Sequence, residues 1–78
     1  MKNVIIYSTP TCHFCGEAKK YMDNHGVSYI EHDVAHDLGQ RKIMVEKSGQ
    51  LGVPVIDIDG KVMVGYEESE LAKALGIE

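Results

Sequence analysis

The segment Val4-Ile5-Ile6-Tyr7 constrains this chain most. Four consecutive β-favouring apolar residues have no polar face to turn to water, so they predict a strand buried on both sides. Such a strand belongs at the centre of a sheet that carries cover on both faces. The chain has 78 residues, so one domain covering 1–78 is expected to supply that cover.

The residues after the strand provide the first layer of it. Ser8-Thr9-Pro10-Thr11 breaks the run, and Cys15, Ala18, Met22 and His25 then recur at intervals of three and four before Gly26. That spacing predicts an amphipathic helix with a glycine stop. Val27 to Val34 mixes β-branched, aromatic and polar residues, which predicts a second strand nearer a sheet edge. Strand, helix and strand imply a right-handed parallel crossover.

Asp37 followed by Gln40 predicts a capping box for a second helix, which Ser48-Gly49-Gln50 ends. Val53 to Ile58 and Lys61 to Val64 flank Asp59-Gly60, a two-residue connection that signals a type I′ hairpin and two antiparallel strands. Glu67, Glu68 and Glu70 suit the positive start of a third helix, Leu71, Ala74 and Leu75 give it an apolar stripe, and Gly76 closes it. The order βαβ, helix, ββα predicts an α/β fold with one four-stranded mixed sheet flanked by three helices.

Charge and cysteine usage narrow the function. Asp and Glu outnumber Lys and Arg by 12 to 8 and the basic residues form no stripe, which argues against a nucleic-acid partner. The N-terminal apolar run is too short for a signal-peptide core or a membrane span, so a cytoplasmic chain is expected. Two cysteines are too few for the disulfide framework of a small secreted domain. In a reducing compartment the pair is reactive or binds metal.

Cys12-His13-Phe14-Cys15 lies between the buried strand and the helix it opens. Unpaired N–H groups and the macrodipole at a helix start favour a thiolate, which makes Cys12 the candidate nucleophile. Cys15, one turn on, is the candidate resolving thiol that attacks a mixed disulfide formed at Cys12. His13 could donate a hydrogen bond to that thiolate, although the same helix end disfavours an imidazolium.

The second reading is a metal-binding module using Cys12 and Cys15, either a zinc site or an iron-sulfur cluster bridging two chains. His32 and His36 nominally complete a two-cysteine, two-histidine set. Against zinc, the gap from Cys15 to His32 exceeds the usual ~12 to 15 residues of a finger, and His32 falls in a predicted strand. The simpler assignment puts His25 at a helix end, His32 in a strand and His36 in a loop, with no metal. A third possibility, an adaptor that only binds a partner's edge strand, leaves both cysteines without a purpose.

Three segments together resemble the glutaredoxin family and the closely similar ribonucleotide-reductase-linked redoxins. They are Tyr7-Ser8-Thr9-Pro10-Thr11-Cys12-His13-Phe14-Cys15, then Gly52-Val53-Pro54-Val55, then Gly65-Tyr66-Glu67-Glu68. The resemblance covers nearly the whole chain and implies a thioredoxin-like fold and reduction of protein or glutathione mixed disulfides. It implies that Pro54 is cis beside the disulfide and that the backbone of Val53 pairs with the substrate chain. It also implies substrate or glutathione contacts from His13, Phe14, Gly65, Tyr66 and Glu67.

No bound cofactor is implied, and glutathione is the implied co-substrate. The implied partners are glutathione or a thioredoxin-reductase-type flavoenzyme, together with disulfide-containing proteins such as ribonucleotide reductase or a peroxidase, met by a monomer. The departures bear on the donor. His13-Phe14 replaces the family's common Pro-Tyr, and Thr9 stands where a lysine is common, so a cation for a glutathione carboxylate is missing. Val64-Gly65-Tyr66-Glu67-Glu68 matches the family's Gly-Gly-X-Asp-Asp loop only at the second glycine and in its acidity. An aromatic after that glycine is the pattern of the flavoenzyme-reduced redoxins. A helix start at Gly65 to Glu67 could still hold a carboxylate through backbone N–H groups.

Overall fold

The computed structural model describes residues 3–77. Its elements run β1 (Val4–Ser8), α1 (His13–Asn24), β2 (Ile30–Asp33), α2 (Leu38–Ser48), β3 (Val55–Ile58), β4 (Lys61–Val64) and α3 (Glu68–Leu75). This is the order the sequence predicts. The sheet order is β2-β1-β3-β4, with β1 parallel to β2 and antiparallel to β3, and β3 antiparallel to β4. The apolar run of β1 is therefore central, and β2 lies at an edge.

Side chains alternate between the two faces of the sheet because successive Cβ atoms point to opposite sides. Val4, Ile6, Ile56 and Ile58 pack with Ala18 and Met22 of α1 and with Leu71, Ala74 and Leu75 of α3. Tyr7 and Val55 face the other way and pack with Val34 and with Met44 of α2. The fold is a thioredoxin-like three-layer arrangement, with two helices on one face and one on the other.

Boundaries shift where backbone groups have other uses. β2 starts at Ile30 rather than Val27, because the Val27 N–H closes α1 by bonding Met22 O at 2.9 Å. That bond follows Gly26, whose φ of 67° turns the chain out of the helix. β3 starts at Val55 rather than Val53, since Pro54 has no N–H to give a ladder. Helix α1 begins at His13, earlier than its apolar periodicity shows, with Cys12 as its cap. The capping box of α2 forms by half: Asp37 Oδ1 accepts from Gln40 N at 3.1 Å, but the Asp37 N–H bonds Asp33 O at 2.8 Å instead of the Gln40 side chain. The hairpin is as predicted, with φ of 50° at Asp59 and 91° at Gly60.

Candidate active site

The register brings the sequence-predicted site residues to one end of the sheet. Tyr7 pairs with Val55, and Val55 pairs with Val64. The chain leaving β1 toward Cys12, the chain entering β3 through Val53 and Pro54, and the chain leaving β4 into Gly65 therefore share that end. Pro54 O accepts a hydrogen bond from Gly65 N at 2.8 Å, which ties two of these segments together. The Val53–Pro54 bond is cis, as the resemblance implies.

Cys12 is the N-cap of α1, with extended backbone (φ −83°, ψ 115°). Its Sγ accepts from Cys15 N at 3.1 Å and its carbonyl accepts from Gly16 N at 3.3 Å. The turn that delivers it is closed by Cys12 N to Thr9 O at 3.3 Å. An N-cap is ordinarily an oxygen from Ser, Thr, Asp or Asn. Here a sulfur takes the place, so the helix start donates to the atom that would carry negative charge as a thiolate.

The two sulfurs are unequal. Cys12 is partly exposed, whereas Cys15 is 0% exposed in the layer under α1. Burial pushes the Cys15 thiol up to about 12, the neighbouring Cys12 adds to the rise, and the Thr9 backbone and the Lys19 ammonium act against it. Cys12 can meet a substrate disulfide. Cys15, wholly buried, meets the substrate disulfide only through Cys12 Sγ, the atom it would attack once a mixed disulfide has formed there.

The other predicted residues fall around this pair. His13 is exposed, 3.9 Å from Glu17 and edge-on to Phe14 with ring centroids 5.3 Å apart. It makes no hydrogen bond to Cys12 among the described residues. Phe14, 58% exposed between the cysteines, offers an apolar surface at the mouth of the site. Val53 is half-buried and Pro54 buried.

Tyr66 is half-buried, 6.4 Å ring to ring from Tyr21, and its hydroxyl is pushed up by burial and then by Glu68 and Glu17. Glu67 caps α3 without its side chain accepting from a backbone amide of the helix; its carboxylate instead accepts from Ser69 Oγ at 3.0 Å. With Tyr21, Glu68, Ser69 and Ala72 it lines a groove of about 370 Å³. The N–H of Gly65 is used by Pro54, so a carboxylate held at this helix start would need the amides beyond it.

The zinc set is not assembled. His32 lies in β2 with its ring 5.5 Å from that of Tyr7, and His36 bonds Asp33 Oδ2 at 2.8 Å in the loop after it. Among the described residues no three or more His, Cys, Asp or Glu side chains converge to hold a metal ion. No helix among them is long and apolar enough to cross a membrane.

Sequence reasoning missed two polar groups that flank the site. Lys47 Nζ donates to Asp57 Oδ2 at 2.7 Å and to Tyr7 Oη at 2.8 Å, beneath α2. On the opposite face Glu31 Oε2 accepts from Lys19 Nζ and from Ser8 Oγ, both at 2.7 Å. The spacing of Lys19 after Cys15 is visible in the sequence, but their partners come from distant strands.

Comparison with known proteins agrees with this geometry. The family model described as Glutaredoxin matches residues 4–63. A glutaredoxin-like 8.6 kDa protein from the rubredoxin operon of Clostridium pasteurianum is 41% identical over 70 residues, covering 90% of this chain and 93% of that one. Glutaredoxin 3 of Escherichia coli K12 is 34% identical over 76 residues, covering 97% and 92%. The crystal structure of a thioredoxin-like protein superposes with a TM-score of 0.93 at 31% identity, over 100% of both chains. With Cys12 of its Cys-X-X-Cys pair capping the first helix, and by the family match over residues 4–63 and these relatives, this chain belongs to the glutaredoxin family of thiol-disulfide oxidoreductases.

Proposed function

We propose that the protein reduces protein or glutathione mixed disulfides by a dithiol route with Cys12 as nucleophile and Cys15 as resolving thiol. The observation that carries this reading is the asymmetry of the pair. The accessible Cys12 Sγ receives the Cys15 N–H at 3.1 Å, while Cys15 is wholly buried.

The Cys12 thiolate attacks one sulfur of the substrate disulfide, forming a mixed disulfide and expelling the other sulfur as a thiolate. Cys15 then loses its proton and attacks Cys12 Sγ, which releases the reduced substrate thiol and leaves a Cys12–Cys15 disulfide. Two electrons from an external donor restore the dithiol. Val53 and Pro54 position the substrate chain, and Phe14 covers its apolar part.

The donor is glutathione or a thioredoxin-reductase-type flavoprotein, and the site favours the flavoprotein. Thr9 supplies no cation, the Gly65 amide is already bonded to Pro54, and Glu17, Glu67 and Glu68 surround Tyr66 with negative charge. An anionic tripeptide gains little there, whereas a protein donor brings its own contact surface. The setting is a reducing compartment such as the cytoplasm, and the acting form is a monomer whose targets are disulfide-bearing proteins.

The test is reduction of a mixed glutathione disulfide by the purified protein, with glutathione and its reductase in one arm and a thioredoxin-reductase-type flavoenzyme in the other. Turnover only in the flavoenzyme arm is expected. Efficient turnover with glutathione would reverse the donor assignment and give Gly65 to Glu67 a binding role. Full activity in Cys12→Ser would overturn the mechanism.

A further inference from the structure

Lys19 comes one helical turn after Cys15 on α1, and residues four apart lie on the same side of a helix. A lysine on a helix surface ordinarily spreads over many rotamers. This one is held: its Nζ donates to Glu31 Oε2 at 2.7 Å, and the same oxygen accepts from Ser8 Oγ at 2.7 Å. Ser8 is 1% exposed and ends β1, and Glu31 on β2 pairs with Ile6. Three elements therefore fix one ammonium on the face of the sheet where Cys15 is buried.

We propose that Lys19 is a positioning residue for the second exchange step, its clamped ammonium favouring the thiolate of Cys15 as that sulfur attacks the Cys12 mixed disulfide. This deepens the dithiol reading above and rests on it. In the step, the Cys15 thiol gives its proton to solvent and its electron pair forms the bond to Cys12 Sγ. The bond from Cys12 to the substrate sulfur breaks, and the departing thiolate takes up a proton. The disulfide passes from mixed to internal, so no further oxidant or reductant enters.

The charge state of the pair decides between a proton acceptor and a fixed charge. The hydrogen bond from Lys19, then that from Ser8, holds the Glu31 carboxyl below the ordinary carboxylate range, which makes it a poor base. The same contact holds Lys19 above its ordinary range, so it stays charged through turnover. Neither member carries the proton away. What reaches Cys15 is the attraction of the ammonium, which opposes the rise that burial imposes.

The other groups bearing on Cys15 are Cys12 and the backbone of Thr9. Lys19 is faced from outside its helix by Glu31 and by Tyr29, whose hydroxyl burial pushes up and which is therefore neutral at working pH. Asp33 lies near Glu31 and Asp23 near Tyr29.

The experiment loads a chromophoric thionitrobenzoate onto Cys12 and tracks, from mildly acidic to alkaline pH, the release of that thiol as Cys15 displaces it. Formation of the mixed disulfide provides the reference rate. In Lys19→Gln, which keeps a donor for Glu31 without the charge, release is expected to slow about threefold to tenfold at neutral pH, with its midpoint moved to higher pH. Lys19→Met is expected to behave alike and Lys19→Arg to recover most of the rate. A wild-type pH profile in Lys19→Gln would overturn the proposal. Cys15→Ser separates this from the reading beneath it. If that variant still releases the chromophore at the wild-type rate, the dithiol route itself fails. If it blocks release while Lys19→Gln does not slow it, only the role of Lys19 fails.

Discussion

The two faces of the sheet are closed in different ways. On the face covered by α1 and α3, nine buried apolar residues form one cluster, and Cys15 is buried in the same layer. On the face covered by α2, four buried residues suffice, and the polar group of Lys47, Asp57 and Tyr7 occupies the rest. Helix α2 buries only Met44, and Leu38 at its start and Leu51 shortly after its end stay exposed. The difference teaches where a small redox fold needs rigidity. The cysteine pair depends on a closely packed layer that sets the burial of Cys15, whereas the α2 layer can be thinner because it shields the back of β1, β3 and β4.

The sharpest way to break that comparison is to cut one methionine from each layer. Met22 and Met44 are both 0% exposed. Met22→Ala, surrounded by close-packed aliphatic side chains, is expected to cost about 3 to 5 kcal/mol in chemical denaturation. Met44→Ala is expected to cost less, about 2 to 3 kcal/mol, because the partly exposed side chains around α2 can settle into the space. Equal losses would mean that the two layers are packed alike. Against a total stability of about 5 to 10 kcal/mol for a domain of this size, the first variant is close to unfolded.

The second way is to remove the polar group. Asp57 is 8% exposed, and its partner Lys47 is bound to it and to Tyr7. Lys47→Met leaves a buried carboxylate unpaired and is expected to cost about 2 to 3 kcal/mol at neutral pH. The double variant Lys47→Met, Asp57→Leu is expected to recover most of that loss, since an apolar pair of similar volume needs no desolvation. The pH dependence carries a sign. Lys47 holds the Asp57 carboxyl below its ordinary value of 3.8, so the stabilisation is present above that pH and fades as pH falls through the lowered value. Lys47 is held above its ordinary 10.5, so its contribution is complete below that pH and fades as pH rises past the raised value. Wild type minus double variant should therefore be flat from about pH 5 to 10 and shrink at both ends. A difference unchanged down to strong acid would show that Asp57 gains nothing from its partner in the folded state.

How much of this is legible in the sequence depends on the range of the cause. The hairpin at Asp59-Gly60, the cap at Asp37 and the glycine stop at Gly26 are set within a few residues, and each appears where the sequence places it. The central place of β1 is legible because four adjacent apolar residues can hide nowhere else. The early end of β2's predicted range fails because the Val27 N–H answers to Met22, a competition that strand propensity does not register. Within the site, Cys12 and Cys15 are visible from spacing and Pro54 from resemblance. The clamps Lys19–Glu31–Ser8 and Lys47–Asp57–Tyr7 are not, because each joins residues that only the strand register brings together.

The smallest expected effect lies where the two faces can be compared most directly, at the starts of α1 and α2, which come after β1 and β2 at the same end of the sheet. One is capped by a sulfur and the other by a carboxylate, at an equal 3.1 Å from the third amide on. Serine and aspartate are among the best caps, and loss of a cap to alanine costs about 1 kcal/mol. Cys12→Ser is therefore expected to abolish disulfide exchange while keeping the stability of the wild type, because an oxygen replaces the sulfur as acceptor. Cys12→Ala should lose the exchange together with about 0.5 to 1 kcal/mol, and Asp37→Ala should lose a similar amount while retaining exchange. Denaturant titration of the three variants beside their exchange rates separates the two properties. If wild type and Cys12→Ala prove equally stable, the sulfur contributes nothing as a cap, and its contact with the Cys15 amide serves the chemistry alone.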